Sequence, residues 1–185
     1  MKTKKMLRRV LAIALVVTVL IITGCVSPGA GLKSYVDSLD GYEFLYPNGW
    51  VSVKVAGGPD VVFHDLIEPT ENVSVVFSEV PDGKSLTELG TATEIGYQLS
   101  KNAIAPPDSG REAELVNAGT KESKDKTYYL LEYAVTLPGD EHRHNLASVA
   151  VSRGKLFTFN VSTTEDRWER VGDTLEQVVK SFSVY

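Results

Sequence analysis

Three runs of alternating apolar residues between positions 127 and 161, two of them joined by a two-residue turn, constrain this chain more than any other feature. In Thr127–Leu137, residues Tyr129, Leu131, Tyr133 and Val135 fall on one face at period two, the spacing of a strand with one buried side. Leu146–Ser152 places Ala147, Val149 and Val151 on one face, and Leu156–Val161 does the same with Phe157, Phe159 and Val161. Arg153-Gly154 between them has the length of a tight hairpin loop. A ladder closed there pairs Ser152 with Lys155. Counted back, it sets His144 opposite Thr163 and His142 opposite Glu165.

The rest of the chain extends this antiparallel theme. Tyr42–Tyr46, Val51–Val55, Asp60–Leu66 and Val73–Val80 read as strands, broken by Pro47-Asn48-Gly49, Gly57-Gly58-Pro59 and Pro81-Asp82-Gly83. Glu112–Ser123 reads as another. Ser85-Leu86-Thr87-Glu88 fits a capping box and opens a helix, which Gly90 and Gly96 weaken and Pro106-Pro107 ends. A second helix is predicted from Thr164 to Phe182, where Trp168, Val171, Leu175, Val178, Val179 and Phe182 recur at three- and four-residue spacings. Strands in succession, with one helix inserted and one at the end, imply an α+β sandwich around an antiparallel sheet.

The N-terminus carries an address. Lys2, Lys4, Lys5, Arg8 and Arg9 precede the uncharged run Leu11–Ile22, and Ile22-Thr23-Gly24-Cys25 has the small-residue pattern of a lipoprotein processing site. Residues 1–24 then read as a signal peptide, Cys25 as the acylated residue, 25–38 as a flexible tether, and 39–185 as the folded domain. The alternative is an uncleaved signal anchor, although the run is short of the roughly 20 residues of a full span. Cys25 is the one cysteine in the chain, so no internal disulfide supports the fold. Two or three acyl chains at about 0.8 kcal/mol per buried CH₂ would hold the domain at a membrane.

Charge narrows the partners. Residues 1–24 hold five of the 19 basic residues and none of the 24 acidic ones, which leaves 14 against 24, a net −10. Nucleic acid is disfavoured as a partner, and so is direct adsorption to anionic lipid. No nucleophile elbow, phosphate-cradling glycine loop or His-Glu-x-x-His helix occurs, so an enzyme is not expected. One constellation carries metal chemistry: Glu141-His142-Arg143-His144 with Glu165-Asp166, which the hairpin count brings to one end of the sheet. Histidine and carboxylate both ligate zinc. The same residues also read as solvated histidines and an acidic helix N-terminus.

Gly41-Tyr42-Glu43-Phe44-Leu45-Tyr46-Pro47-Asn48-Gly49-Trp50 resembles the opening signature of the PsbP family, the extrinsic lumenal subunits of photosystem II. Gly154-Lys155-Leu156-Phe157, Asp166-Arg167-Trp168 and Ser181-Phe182-Ser183-Val184 match the same family in order. The resemblance implies an α/β/α sandwich with a central antiparallel sheet and no catalytic activity. It also implies a divalent-ion site at His144 and Asp166, to which the hairpin count adds Glu165 and His142 as additional ligands. The ion expected is zinc in vitro, with calcium or manganese conceivable and no cofactor required. A lipid anchor in place of a transit peptide, and a short segment Cys25–Ser38, point to the cyanobacterial lipoprotein branch. The expected partners are photosystem II lumenal subunits or assembly intermediates, reached by a monomeric domain anchored at the lumenal face of the thylakoid. The periplasmic face of the plasma membrane is the alternative location. A lipid-anchored metal carrier and an envelope lipoprotein holding a small ligand between sheet and helices are competing functions.

Overall fold

The computed structural model describes residues 31–185. The predicted signal segment, Cys25 and the start of the tether lie outside the described residues. Strands β1 (Leu32–Asp37), β2 (Tyr42–Pro47) and β10 (Ser183–Val184) form a small sheet in the order β1-β2-β10. Strands β3 (Val51–Val53), β4 (Val61–His64), β5 (Asn72–Glu79), β6 (Glu112–Ser123), β7 (Lys126–Leu137), β8 (Glu141–Ser152) and β9 (Lys155–Thr164) form a large antiparallel sheet in the order β3-β4-β5-β9-β8-β7-β6. The helices are α1 (Leu86–Leu89), α2 (Ala92–Leu99), which runs on into a π turn over Ser100–Ile104, and α3 (Glu165–Ser181).

Arg153 and Gly154 both take positive φ, 51° and 72°, the requirement of a two-residue turn whose twist matches its strands. The predicted register follows: Ser152 pairs with Lys155 and His144 with Thr163. Side-chain alternation then divides the core in two. Phe157, Phe159, Val161, Leu146 and Ala150 face the small sheet and α3. Tyr129, Leu131, Tyr133, Ala147 and Val149 face α1 and α2. Helices therefore cover both faces of the large sheet, and the α/β/α arrangement stands.

The first core is aromatic. Phe44 and Phe159 have ring centroids 4.6 Å apart, Tyr46 and Phe63 4.2 Å, and Phe159 and Phe182 5.1 Å, distances at which aromatic pairs contribute beyond their buried area. The end of α3 is locked to β2, where Ser181 Oγ accepts the Leu45 N–H at 2.8 Å. Tyr128 Oη accepts the Val184 N–H at 3.2 Å and so seats β10.

Four expectations change. The tether does not reach residue 38, because Leu32–Asp37 is a strand paired along its length with β2. Tyr35 holds it there, its ring 5.1 Å from Phe44 and 5.4 Å from Phe63. The helix opened by Ser85 is two helices, since Gly90 at φ 148° breaks the chain and Thr91 caps α2 with a second box through Glu94. The strand read as Leu146–Ser152 begins five residues earlier, at Glu141, and takes in His142–His144. Finally, His142 does not pair with Glu165, because the ladder ends at Arg143–Thr164 and Glu165 turns into α3.

Gly96 is explained by packing. A Cβ there would meet Leu115 Cδ2 at 2.8 Å, and Tyr133 donates its hydroxyl to the Gly96 carbonyl at 3.0 Å. In an exposed helix Gly→Ala gains up to about 1 kcal/mol. Gly96→Ala is expected instead to destabilise by about 1–3 kcal/mol through overpacking, measured as a lower urea midpoint at unchanged m-value.

Candidate functional site

His144 lies on β8 and projects toward α3, one residue from the end of the ladder. It is 8 % exposed. Its Nδ1 stands 3.2 Å from Glu165 Oε2 and its Nε2 3.0 Å from Glu132 Oε1. The ring lies flat on Trp168, with centroids 3.6 Å apart and an interplanar angle of 7°. Each contact follows from local geometry. Glu132 pairs with Leu146, two residues along from His144, and such diagonal neighbours lie within reach of a long side chain. Glu165 is the first residue of α3, and Trp168 is one turn later. Trp168 lies flat because Gly172 follows at i+4, where a Cβ would stand 3.2 Å from the indole.

A buried ion pair holds α3 against the sheet beside this cluster. Glu71 is 2 % exposed. Arg167 donates Nε to its Oε1 and Nη2 to its Oε2 at 3.0 Å, and Thr163 donates its hydroxyl to Oε1 at 2.6 Å. The bidentate carboxylate raises the Arg167 pKa above its already high ordinary value, chiefly through this hydrogen bonding. Glu71 is itself presented by the loop after β4. Asp65 Oδ1 accepts the N–H groups of Ile67 and Glu68 at 2.6 and 2.8 Å, and the Asp65 N–H donates to the Glu71 carbonyl at 3.0 Å. Partial burial would raise the Asp65 pKa, but the two backbone donors and the Arg167 charge outweigh it and lower the value.

The predicted ligands are only partly brought together. His144 and Glu165 meet. Asp166 is exposed on the same first turn of α3 and, among the described residues, makes no hydrogen bond or ion pair with His144. His142 lies two residues along β8 on the same face but makes its contacts elsewhere: its Nδ1 lies 3.3 Å from Thr136 Oγ1 and its Nε2 3.5 Å from Asp140 Oδ1. Glu132, Trp168 and Glu71 were not anticipated as parts of the site. Glu132 could have been found by extending the strand before Leu146 back to Glu141 and counting diagonals. A single carboxylate in a loop, such as Glu71, leaves no periodic signal.

The donor set fits a divalent ion in one respect. A neutral imidazole has one N–H and one lone pair, whereas ionised carboxylates only accept. With both ring nitrogens facing carboxylate oxygens, a neutral ring sets one lone pair against an acceptor, which either a second ring proton or a cation in between relieves. Two ligand atoms about 2.0–2.1 Å from a tetrahedral zinc stand about 3.3 Å apart, close to the 3.2 Å separating His144 Nδ1 from Glu165 Oε2. Calcium, which takes six to eight oxygens, suits an imidazole nitrogen less well. Glu132 and Glu165 contact different ring nitrogens, so a single ion takes one of them with His144. Three metal-competent side chains converge at Asp37, Asp40 and Asp60, away from His144.

A sequence model of the PsbP family matches residues 30–184. The chain belongs to the PsbP family. Within it, the chain is 55 % identical to CyanoP of Thermosynechococcus vestitus over 184 residues, covering 97 % of this chain and all of the relative. CyanoP of Synechocystis sp. PCC 6803 is 48 % identical over 188 residues, with 97 % and 100 % covered. The solution structure of the Synechocystis protein superposes with a TM-score of 0.72 at 51 % identity, covering 89 % of this chain and 99 % of that one. The strand at Leu32–Asp37 thus falls inside the matched PsbP domain, as its pairing with β2 requires.

Two outcomes test the site's scaffold. Arg167→Leu leaves Glu71 buried without its cation and is expected to destabilise by about 3–5 kcal/mol, read from denaturant unfolding. Because the Asp65 pKa is lowered in the folded state, its contribution is complete above the unfolded value and is lost as pH falls through the folded one. Asp65→Asn should therefore flatten the acid limb of the stability–pH curve.

Proposed function

We propose that this chain is a lipid-anchored, lumenal accessory protein of photosystem II that aids assembly or stability and performs no catalysis itself. The observation that carries this reading is the match to CyanoP along essentially the whole of both chains. The amino-terminal pattern supports the anchor, with Cys25 as the acylated residue and the lumenal face of the thylakoid membrane as the location. No helix among the described residues is long and apolar enough to cross a membrane. The net −10 of residues 25–185 favours docking on basic lumenal surfaces of photosystem II subunits or assembly intermediates, with encounter steered by charge.

The same reading includes one divalent ion, held by His144 with a carboxylate from the first turn of α3. Glu165 is the nearer and Asp166 the neighbouring candidate. Two protein ligands make a weak site that water completes, since structural zinc ordinarily has four.

Capture from solubilised thylakoids tests the partner. Photosystem II subunits are expected, with recovery falling as ionic strength rises; salt-independent recovery, or capture of another complex, would refute charge-steered docking. Cys25→Ser is expected to move the protein into the soluble fraction with its fold intact. Calorimetric zinc titration of the Cys25→Ser protein tests the ion. His144→Gln is expected to weaken binding at least about tenfold. Glu165→Gln and Asp166→Asn identify the second ligand, and equal binding by wild type and His144→Gln would remove the histidine from the site.

A further inference from the structure

The face of the large sheet turned away from α3 is only partly covered. Helix α2 and the π turn after it lie over β6 and β7, while β8, β9 and β5 form the floor of an open cavity of about 460 Å³, within the range of small-molecule sites. This cavity is on the opposite face from His144, because Arg143 and Asn145 alternate with it along β8.

The lining has two chemistries. Toward the helix it is aliphatic, with Leu99, Ile104 and Val135. The π turn places Ala103 and Ile104 at the rim, and such turns recur at functional sites. Across β5, β9 and β8 the floor is neutral and hydrogen-bonding, with Asn72, Ser74, Asn160 and Asn145. At one end stands Arg143, 7 % exposed.

The polar end presents donors. Arg143 gives Nε to Ser162 Oγ at 3.0 Å, Nη1 to Glu141 at 3.4 Å and Nη2 to the Thr70 carbonyl. A guanidinium has five N–H groups and no acceptor, so two remain. Ser162 passes its own proton to Asn145 Oδ1 at 2.7 Å, which turns the Asn145 amide so that its NH₂ is the free group. Arg111 lines the same cavity and, among the described residues, makes no ion pair. Arg143 and Arg111 against Glu141 leave one net positive charge here, in a domain that is otherwise strongly acidic.

We propose that this cavity binds a small amphipathic carboxylate, its anionic end at Arg143, Arg111 and the Asn145 amide and its hydrocarbon body along Leu99, Ile104 and Val135. One negative charge matches the one uncompensated cation. A planar carboxylate matches the Arg fork, and the aliphatic wall accounts for the rest of the ligand. The site is independent of the metal reading above, which involves the other face of the sheet.

Octanoate is the probe, titrated into the ¹⁵N-labelled Cys25→Ser protein so that no acyl chain competes. Saturable binding below about 1 mM is expected, with side-chain amide shifts at Asn72, Asn145 and Asn160. Octanol and inorganic phosphate, each carrying one half of the chemistry, are expected to bind about tenfold more weakly or not at all. Arg111→Gln, an exposed change that leaves the fold intact, should weaken octanoate about tenfold, and Ser74→Trp should abolish binding by filling the floor. Absence of saturation up to about 10 mM would overturn the proposal. So would octanol or phosphate binding as well as octanoate, shifts located away from the three asparagines, or undiminished binding by Ser74→Trp.

Discussion

The register of the β8–β9 hairpin is the constraint on which everything else in this molecule depends. Its two-residue turn needs positive φ at both Arg153 and Gly154, and once it closes, each residue of both strands is assigned to a face. A slip by one residue would exchange the faces. Phe157 and Phe159 would leave the aromatic core for the other side of the sheet, and that cost makes the register singular. Consecutive residues on β8 then serve different ends: His144 meets α3, and Arg143 and Asn145 meet the cavity behind.

The second level of organisation is polar. Glu71, Thr163 and Arg167 tie the loop after β4, strand β9 and the first turn of α3 to one another through a carboxylate that water scarcely reaches. A buried pair of this kind adds little net stability over an apolar equivalent, yet is costly to break on one side. Its consequence here is positional. It sets the entry of α3, and with it the placing of Glu165 and Trp168 around the His144 ring. The same loop supplies the Thr70 carbonyl to Arg143, so one segment braces both faces of the sheet.

The chain is a PsbP-family domain that matches CyanoP over the full length of that relative. A strongly acidic composition and a histidine set between Glu132 and Glu165 are the polar features that accompany that membership.

Local pattern was enough to determine the strands β7 to β9, their turn, the faces of their apolar residues and the amphipathic last helix, because period two, period 3.6 and turn chemistry act over a few residues. The family resemblance rested on equally local signatures, such as Gly41–Trp50. Even the opposition of His144 and Thr163 could be counted from the turn. Tertiary structure alone decided that Leu32–Asp37 is a strand, since its support is Tyr35 packing on Phe44 and Phe63. It also decided that Glu165 turns away from His142, that Glu132 reaches His144 along a diagonal, and that Glu71 finds Arg167 some 96 residues away. These contacts depend on where packed elements meet. A single polar residue carries no periodicity to announce such a meeting, so its partner is settled only when the layers close.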